Sequence, residues 1–500
     1  MLVMRNRKVK ITIAGESVMV TGLYHHSQQV QPGGLFFALK DGHYVTEAIQ
    51  NGATVIVSEV GVPVEVPNNV EQIIVTDVRA AMAFAAKEFY GNVVDKMRVT
   101  GVVGTNGKTT TTYIMQHILE IATGKNVGVI GTTGVLNAGK TWEGVTTLTT
   151  PDPIDLHRAL ACMYRNGVRD VVMEVSAHAI YYRKVIGINF AGVIFTNITQ
   201  DHLDFFETFE RYKNTKINFF QNLQSGTVVI NADDEYGLEV ANAVNRNPNV
   251  FTISYSLKHD TIVGTAQWAF IDHVRLSVHG SDFILGKADE CHLSLPGLYN
   301  VYNAVAAALL ANHYGVNWSI IKEALATMPD VPGRFNLYQV RGVTAVIDYA
   351  HTPDGLEQLL KNARAILPKQ AKLFVVFGCG GDRDRTKRPQ MGAIAYRLAD
   401  YVVLTSYNPR TEDPNGIIDE IERGIKTTNA KTMQECLDCE DKIRYTRIVD
   451  RAQAIEYAIA QAQTGDMVVI AGKGHESYMD INHQKIPYMD SKVLDNILRG

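Results

Sequence analysis

The chain has 500 residues, of which 46% are hydrophobic and 20% charged, and its formal net charge at pH 7 is −4. At roughly 150 residues per domain, this length predicts about three domains, and the small net charge argues against a nucleic-acid-binding protein, whose domains are usually strongly basic. The sequence contains no apolar run of roughly 18 residues and no apolar signal-peptide core after its basic start, so we expect a cytoplasmic protein without a membrane span.

Residues 1–97 predict a small α/β unit. Short runs of β-branched and aromatic residues at 34–39 and 53–57 indicate strands, and the segment 45–51 between them indicates a helix.

A phosphate loop is predicted where the second unit begins, in the sequence GVVGTNGKTT. Gly104 and Gly107 let backbone N–H groups close on a phosphate, Lys108 meets the terminal phosphates, and Thr109 can ligate Mg²⁺. Val102 stands where the strict Walker pattern has its first glycine, which leaves the compact form G-T-N-G-K-T-T. An ordinary turn between a strand and a helix is the alternative. The strand-loop-helix context favours the phosphate loop.

The rest of the second unit, 98–331, alternates strands and helices, which implies a mostly parallel sheet covered on both faces. The segment 250–295 is interpreted as several strands, followed by helices. The predicted strands are 127–130, 170–175 and 192–196, and the predicted helices begin after 153 and cover 207–223, 301–314 and 318–328.

The third unit, 332–500, predicts another doubly wound, Rossmann-like sheet. In such sheets ligands bind beyond the carboxyl ends of the strands, and the polar clusters of this unit fall there. The predicted strands are 343–348, 373–377, 402–405 and 467–471, the helices include 353–366 and 451–462, and the polar clusters are 348–351, 378–388, 408–410 and 472–476.

The five cysteines are an odd number scattered along the chain, which argues against a disulfide framework. Cys436 and Cys439 form one C-x-x-C pair. Without a second pair or nearby histidines this pair cannot complete a tetrahedral zinc site, so an ordinary loop or helix is favoured.

A carboxylate and an imidazole follow two neighbouring strands at the edge that carries the phosphate loop. Glu174 ends one strand and His202 follows the next, and both are candidate ligands of a second divalent ion. A hydrogen-bonded structural role is the usual alternative for either residue alone. Their pairing beside a phosphate loop favours the metal-binding interpretation.

Ordered motifs over nearly the whole chain resemble those of the Mur ligase family. One such motif is weak evidence, whereas the ordered set is very specific. They are GTNGKTT at 104–110, TTPD at 149–152, EVSAHA at 174–179, FTNITQDHLDF at 195–205, YKNTK at 212–216, PGLYNVYNA at 296–304, PGRF at 332–335, DYAHTPDGLE at 348–357, GCGGDRDRTKRP at 378–389, YNPRTEDP at 407–414 and GKGHE at 472–476.

The resemblance implies an ATP-dependent amide ligase of peptidoglycan precursor synthesis, with a UDP-sugar-binding domain at 1–97, a P-loop ATPase domain at 98–331 and an amino-acid-binding domain at 332–500. ATP would phosphorylate the terminal carboxylate of UDP-N-acetylmuramoyl-L-Ala-D-Glu, and an amino acid would attack the acyl phosphate, releasing ADP and phosphate. ATP and Mg²⁺ are the implied cofactors, the partners are these small molecules, and we expect a monomer.

The same resemblance assigns residues to four sites. The ATP site comprises Gly104, Thr105, Asn106, Gly107, Lys108, Thr109, Thr110, Asn303, Arg334, Asp348 and His351. The UDP-sugar site comprises Ser27, Thr149, Thr150, Ser176 and Lys184. The amino-acid site comprises Arg388, Tyr407, Asn408, Pro409, Arg410, Gly472 and Glu476. The catalytic set is Lys108, Glu174, His202 and Lys216, and the metal ligands are Thr109, Glu174 and His202.

Two of these assignments depend strongly on the resemblance. It gives Lys216 a carbamate (N6-carboxylysine), although the sequence pattern alone favours a surface lysine on a helix. It also implies that Arg410 binds the distal carboxylate of meso-diaminopimelate, because family members that add lysine usually lack this arginine. An arginine suits a free carboxylate and Glu476 suits an ammonium group, whereas an isolated Asn-Pro-Arg is otherwise a turn with a solvated arginine.

The sequence departs from the family pattern at four places. Tyr407 stands where an aspartate is usual, His26-Ser27-Gln28 replaces Asp-Ser-Arg, Lys184 replaces an arginine and Val103 replaces a threonine, the last with little expected effect. A relative that joins another amino acid such as L-lysine, or another carboxylate substrate, is therefore the nearest alternative. The second alternative, from a different class, is an ATP-binding switch or scaffold without ligase activity.

Overall fold

The computed structural model describes residues 8–39, 42–137, 139–142, 148–258, 264–286, 289–435 and 444–499. The C-x-x-C pair Cys436 and Cys439 lies outside the described residues. Three larger sheets follow one another along the chain, and within those ranges no helix combines the length and apolar character needed to cross a bilayer. The exact boundaries at 97/98 and 331/332 stay a prediction.

The first sheet has four parallel strands in the order β3-β4-β5-β6, preceded by the antiparallel hairpin β1–β2. Helix α2 begins at a favourable cap, because the Asp77 carboxylate accepts a hydrogen bond from Ala80 N at 2.9 Å. The elements are β1 (Val9–Ile13), β2 (Glu16–Val20), β3 (Leu23–Tyr24), β4 (Gly34–Phe37), α1 (Val45–Gln50), β5 (Ala53–Glu59), β6 (Glu71–Val75) and α2 (Val78–Phe89).

The second sheet has eleven strands in the order β10-β9-β8-β11-β7-β12-β13-β14-β15-β16-β17. In this order, the strands from β8 through β11, β7, β12, β13 and β14 to β15 are parallel to their neighbours. The outer pairs β10–β9, β9–β8, β15–β16 and β16–β17 are antiparallel. The elements are β7 (Arg98–Val103), α3 (Lys108–Thr123), β8 (Gly128–Gly131), β9 (Gly134–Asn137), β10 (Lys140–Thr141), α4 (Pro153–Arg165), β11 (Asp170–Val175), α5 (Ala177–Tyr181), β12 (Phe190–Phe195), α6 (Leu203–Phe206), α7 (Phe209–Gln221), β13 (Gly226–Asn231), α8 (Gly237–Val244), β14 (Val250–Ser256), β15 (Gln267–Ser277), β16 (Gly280–Leu285), β17 (Asp289–Leu293), α9 (Leu298–His313) and α10 (Trp318–Ala326).

Both faces of this second sheet are buried, as the parallel topology requires. On β7, Val99 and Val103 belong to one hydrophobic cluster and Val102 belongs to the cluster on the opposite face. The last residue of β7 pairs in register with Val175 of β11 and with Phe195 of β12. The segments that follow these three strands therefore leave the sheet at one common edge.

The third sheet has the order β18-β19-β23-β20-β21-β22, and only its edge strand β18 is antiparallel. A buried ion pair between Arg451 and Asp490, with N–O distances of 2.8 Å, joins α14 to α15. The elements are β18 (Asn336–Val340), β19 (Val343–Asp348), α11 (Pro353–Ile366), β20 (Leu373–Phe377), α12 (Lys387–Leu398), β21 (Tyr401–Leu404), α13 (Pro414–Glu435), β22 (Tyr445–Arg447), α14 (Arg451–Gln461), β23 (Met467–Ala471), β24 (Tyr478–Ile481), β25 (Gln484–Pro487) and α15 (Asp490–Arg499).

The predicted long helix near 207–223 is helix α7, which begins two residues later than predicted. Glu207 has a φ of +64° and ends the short helix α6, so it does not belong to α7. Helix α7 begins at its own cap, since the Thr208 hydroxyl accepts from Arg211 N at 3.3 Å. The predicted helix is therefore continuous, and only its bounds differ.

Candidate active site

The phosphate loop lies between β7 and α3, and close packing requires two of its glycines. Gly107 adopts the left-handed conformation with a φ of +83°, and a Cβ there would lie 2.4 Å from Asn303 Oδ1. A Cβ at Gly104 would lie 1.8 Å from Thr196 Oγ1. Neither position has room for a side chain, so the backbone itself forms this surface.

The segment that follows β12 holds the loop in place. Asn106 N donates to Asn197 Oδ1 at 2.9 Å, and Thr196 Oγ1 donates to the carbonyl oxygen of Asn106 at 2.7 Å. Thr105 N donates to the Asn197 carbonyl at 2.9 Å, and Thr199 N donates to Thr105 Oγ1 at 3.0 Å. The loop conformation is therefore fixed by a neighbouring strand end, which supports preorganised anion binding.

Lys108 begins helix α3 and turns back over the loop. Its Nζ donates to the carbonyl oxygens of Gly104 and Thr105, at 2.9 and 2.8 Å. Desolvation lowers the pKa of Lys108, and the nearby Glu174 carboxylate acts in the opposite direction. An ammonium group has three protons, so one donor remains for a phosphate oxygen.

Thr109 connects the loop to two other segments. Its hydroxyl donates to Glu174 Oε1 at 2.9 Å and accepts from Arg334 Nη2 at 3.0 Å. Glu174 is buried at the end of β11 and also accepts hydrogen bonds from Thr132 N and Oγ1, at 2.9 and 3.0 Å. Thr110, the next residue of α3, is buried in the same turn.

The Thr109 hydroxyl and the Glu174 carboxylate fit a Mg²⁺ ion. Magnesium prefers oxygen ligands and usually combines one or two protein groups with phosphates and water. Among the residues that the structure describes, no group of three or more histidine, cysteine, aspartate or glutamate side chains is placed to hold a metal alone. The donor set therefore suits an ion that arrives with a nucleotide rather than an all-protein metal cage.

His202 lies at the same edge of the sheet but has different neighbours. Its φ is +54°, its Nε2 lies 3.3 Å from Asp201 Oδ2, and its ring packs edge-on against His178 with centroids 4.7 Å apart. No contact between His202 and Glu174 occurs in the described part of the chain. Their shared role as metal ligands stays a prediction.

Lys216 is buried, so the surface position that the sequence pattern favoured was wrong. Its side chain is about 1% exposed. Nζ donates to Thr105 Oγ1 at 2.9 Å and to Tyr212 Oη at 2.6 Å. Burial, with a further contribution from Lys108, lowers the pKa of Lys216 well below its ordinary value. The amine therefore lies directly behind the phosphate loop.

The first segments of the third unit reach the phosphate loop. Arg334 donates to Thr109, as described, and its guanidinium stacks on the Tyr349 ring at 4.5 Å from the centroid. Asp348 accepts from Phe335 N at 2.8 Å and from Ala350 N at 2.7 Å, which fixes the turns on either side of β18 and β19. Burial raises the pKa of Asp348, and Arg334 opposes that effect.

Two more residues follow strand β19. His351 Nδ1 is 2.9 Å from the Tyr349 carbonyl, and burial lowers the pKa of His351 to about 4. Asp354 Oδ2 accepts from Asn106 Nδ2 at 2.7 Å and from Thr199 Oγ1 at 3.3 Å. Of the predicted ATP-site residues outside the loop, Asn303 and Arg334 contact the loop or the start of α3, and Asp354, which was not predicted, does so too. Asp348 and His351 contact neighbouring residues of the third unit instead.

The residues predicted for the UDP-sugar fall into two groups. Thr150 Oγ1 donates to the Glu174 carbonyl at 2.8 Å and lies 3.3 Å from Ser176 Oγ, and Thr149 Oγ1 lies 3.2 Å from Thr132 Oγ1. Lys184 is buried, and its Nζ lies 3.0 Å from Asp152 Oδ1 and 3.3 Å from the Thr150 carbonyl. This first group borders the phosphate loop through Glu174.

Ser27 is separate from that group and lines a cavity of about 490 Å³ in the first unit. Its hydroxyl donates to Glu47 Oε2. The cavity is lined by His25, His26, Ser27, Gln28, Gln29, Phe36, Ala38, Leu39, Gly42, His43, Tyr44, Val45 and Arg79.

Several residues predicted for the amino-acid site form one cluster beyond β21 and β23. Asn408 Nδ2 donates to Glu476 Oε2 at 2.9 Å. Lys473, which is buried, donates to the same Glu476 oxygen at 2.9 Å and to Asn408 Oδ1 at 3.2 Å. Gly472, with a φ of +114°, would place a Cβ 3.6 Å from the buried Tyr407 ring. Glu476 therefore has a cationic partner within the protein.

Arg410 lies in the next turn of the same cluster. Its φ is +51°, its Nη1 donates to the Gly381 carbonyl at 2.6 Å, and its Nε lies 3.5 Å from Asp480 Oδ2. The Pro409 carbonyl accepts from Glu412 N at 3.0 Å and packs so closely that a Cβ on Gly381 would lie 1.8 Å away.

Arg388 is engaged mainly by its own domain. Its side chain has no exposure, and its Nη atoms donate to Glu412 at 2.7 and 2.8 Å and to Glu420 Oε2 at 2.9 Å. Nη2 also donates to the Gly380 carbonyl at 3.1 Å. Only Nε is buried without a partner among the described residues, so the prediction that Arg388 binds the amino acid depends on that one donor.

Comparison with known proteins decides the family. Residues 102–311 match the Mur ligase middle domain, and residues 333–474 match the Mur ligase, glutamate ligase domain. A protein of Clostridium tetani named UDP-N-acetylmuramoyl-L-alanyl-D-glutamate–2,6-diaminopimelate ligase is 37% identical over 99% of this chain and 98% of its own length. The chain belongs to the Mur ligase family.

Other relatives extend the match. An Aquifex aeolicus protein of the same name is 38% identical over 96% of this Mur ligase and 94% of its own length. A solved structure of a ligase with this name has a TM-score of 0.65 and 30% identity, and the match covers 96% of this chain and 95% of that one. The expected three-domain α/β fold and the resemblance to the family are therefore confirmed.

Three charged residues of this Mur ligase site were not singled out from the sequence. Lys473 and Asp354 lie inside two of the family motifs, GKGHE and DYAHTPDGLE, and these motifs could have indicated both residues. Asp480 lies outside every quoted motif, and only its position in strand β24 beside Arg410 reveals it.

Proposed function

We propose that this Mur ligase uses ATP to join meso-diaminopimelate to UDP-N-acetylmuramoyl-L-Ala-D-Glu, forming ADP and phosphate in peptidoglycan precursor synthesis. The named relatives at 37 and 38% identity support this activity. One structural observation carries it. A Cβ on Gly333 would lie 2.3 Å from His475 N of the GKGHE motif, and the adjacent Arg334 donates to Thr109 of the phosphate loop. Two consecutive residues thus connect the ATP site to the amino-acid site.

The first step requires the ATP γ-phosphoryl group and the substrate carboxylate to meet beside the loop. The remaining Lys108 proton and the loop N–H groups bind the phosphates, and fixed donors of this kind stabilise the charge of a transferring phosphoryl group. Thr109 and Glu174 would hold Mg²⁺, which neutralises phosphate charge when it is bound. Attack by a carboxylate oxygen on the γ-phosphorus breaks the bond to ADP and forms the acyl phosphate.

Lys216 is proposed to carry a carbamate. Its amine is desolvated and has a lowered pKa, which favours the neutral form that attacks CO₂. The neutral amine attacks CO₂, the new N–C bond forms with loss of one proton from nitrogen, and the buried neutral amine becomes a carbamate anion. Lys216 Nζ lies 2.9 Å from Thr105 Oγ1, so the carbamate would lie behind the phosphate loop. There it could orient the groups that bind the metal ion.

The second step is attack by the amino group of the incoming amino acid on the acyl carbon, with release of phosphate. Arg410 is proposed to bind the distal carboxylate of meso-diaminopimelate, because an arginine pairs well with a free carboxylate. The cavity around Ser27 is proposed to bind the uridine end of the other substrate. We also propose a cytoplasmic location, and we expect a monomer.

Phosphate release tests the proposal. The enzyme is mixed with ATP, Mg²⁺ and UDP-N-acetylmuramoyl-L-Ala-D-Glu, and meso-diaminopimelate, L-lysine and other amino acids are supplied one at a time. Release that requires both the UDP-dipeptide and meso-diaminopimelate supports the proposed ligase. Release that requires L-lysine instead supports the diverged relative. ATP hydrolysis that is indifferent to the amino acid supports a switch or scaffold.

A further inference from the structure

We propose that Asp480 is a specificity-determining residue that binds the distal ammonium group of the diamino acid. This inference rests on the proposed function and adds to it the group that distinguishes a diamino acid from a simple dicarboxylic amino acid. The candidate arises because Asp480 is charged, lies next to Arg410 and takes no part in the chemistry derived above.

The backbone fixes Asp480 against the Asn-Pro-Arg turn. Asp480 N donates to Asn408 Oδ1 at 3.0 Å, and Arg410 N donates to the Asp480 carbonyl at 3.0 Å. Arg410 and Ile481 also form an isolated β-bridge. Two hydrogen bonds and a bridge therefore bind strand β24 to the turn, so the Asp480 side chain has little freedom to move away from Arg410.

The Asp480 carboxylate has unused hydrogen-bonding capacity. Oδ2 lies 3.5 Å from Arg410 Nε, whereas Oδ1 is buried without a partner among the described residues. A buried carboxylate oxygen without a donor is costly unless a ligand supplies one. The side chain is 19% exposed, which leaves a path for a small ligand.

The pairing of Arg410 with Asp480 matches the chemistry of an amino-acid head group. The distal carbon of meso-diaminopimelate carries a carboxylate and an ammonium group side by side. Arg410 uses Nη1 for the Gly381 carbonyl, and its Nη2 has no partner among the described residues. Arg410 can therefore bind the carboxylate through Nη2 while Asp480 Oδ1 accepts from the adjacent ammonium group.

The other two nearby candidates are less suited to this role. Glu476 accepts hydrogen bonds from Lys473 and Asn408 through Oε2, and no contact between Glu476 and Arg410 occurs among the described residues. Tyr407 stands where the family usually has an aspartate, and its buried phenol carries no charge, because burial raises its pKa well above the ordinary value. Asp480 thus combines contact with Arg410 through Oδ2 and an Oδ1 that remains open to a cation.

Three amino acids separate binding of the ammonium group from an indirect effect through Arg410. L-2-aminopimelate keeps the distal carboxylate of meso-diaminopimelate but lacks the distal amine. L-lysine keeps the distal amine but lacks the carboxylate. KM and kcat for each are measured by phosphate release with ATP and the UDP-dipeptide, for the wild type and for the near-isosteric Asp480→Asn variant.

We expect the wild type to have a KM for L-2-aminopimelate about ten- to hundredfold above that for meso-diaminopimelate, the effect of losing one charge-assisted hydrogen bond. D480N should raise the KM for meso-diaminopimelate by a similar factor and leave kcat and KM for L-2-aminopimelate unchanged. The control variant Asp419→Asn removes an aspartate from a surface pair with Arg447 in the same domain and should change neither KM.

Several results would overturn the inference. Equal KM values of the wild type for meso-diaminopimelate and L-2-aminopimelate would exclude an ammonium contact without any variant. An equal rise of both KM values in D480N would show that Asp480 only orients Arg410. If the wild type releases phosphate with none of the three amino acids, the proposed function fails and this inference fails with it. If the wild type is active and D480N has an unchanged KM for meso-diaminopimelate, the inference alone is overturned.

Discussion

Replacing Arg388 with methionine should destabilise the protein strongly. The guanidinium is fully buried and makes two hydrogen bonds to Glu412, one to Glu420 and one to the Gly380 carbonyl, all between 2.7 and 3.1 Å. Methionine fills a similar volume but leaves Glu412 without its cation and leaves Glu420 with Arg385 as its remaining partner. The loss therefore combines missing charge-assisted hydrogen bonds with uncompensated negative charge.

The expected magnitude follows from these contacts. Removing one partner of a buried ion pair costs about 3–5 kcal/mol, which corresponds to a fall of roughly 10 °C in the melting temperature of a unit of this size. Hydrogen bonds from Arg388 lower the pKa of Glu412 to about 2, from an ordinary 4.5. Because the folded pKa is depressed, this contribution is complete above about pH 4.5 and is lost as the pH falls through about 2.

Thermal unfolding monitored by fluorescence at pH 7, and then at decreasing pH, measures both effects. The melting temperatures of wild type and R388M should differ by roughly 10 °C at pH 7 and converge as the pH falls below about 4.5. Arg385→Met is the matched control, because Arg385 also pairs with Glu420 but its side chain is 65% exposed. If the melting temperature of R388M at pH 7 differs from that of the wild type by less than about 2 °C, as expected of a surface substitution, this account of the ion pairs is refuted.

Three further substitutions test the two ends of the active site. Lys216→Ala should abolish phosphate release, and short carboxylic acids should partly restore it, whereas near-normal activity would contradict the carbamate. Gly107→Ala should raise the KM for ATP, because its φ of +83° is strained by about 1–2 kcal/mol for alanine and a Cβ would lie 2.4 Å from Asn303 Oδ1. Arg410→Ala should raise the KM for meso-diaminopimelate by the equivalent of about 1.5–3 kcal/mol and leave that for ATP unchanged.

The sheets could be predicted closely from the sequence because buried parallel strands are continuous apolar runs with defined ends. The strands Asp170–Val175, Val343–Asp348 and Leu373–Phe377 have the predicted bounds, and so does helix Pro353–Ile366. Thr352 caps this helix and proline occupies its first turn, which are strong local signals. The start of α7 at Phe209 could not be predicted, since it follows the positive φ of Glu207, and a positive φ at a glutamate depends on tertiary packing.

Side-chain partners were much harder to predict than elements. The family motifs predicted site roles for Lys216 and Arg388. The sequence did not indicate that the Lys216 amine contacts Thr105 or that the Arg388 guanidinium binds two glutamates. The four-residue spacing of Tyr212 and Lys216 places both on one helix face, a signal that does not specify burial. Such pairings depend on segments far apart in sequence, so they emerge only with the fold.

The proposed reaction requires two domains to act together, and the described contacts show how the third unit is joined to the phosphate loop. Arg334 contacts the Thr109 hydroxyl and Asp354 contacts the Asn106 amide, while Gly333 packs against the backbone of the amino-acid motif. A rotation of the third unit would move the predicted amino-acid site and break these loop contacts at the same time, because Gly333 and Arg334 belong to the same short segment. Under the proposed function, the amino acid would then be aligned only in the arrangement that also completes the nucleotide site, which would limit wasteful hydrolysis of the acyl phosphate.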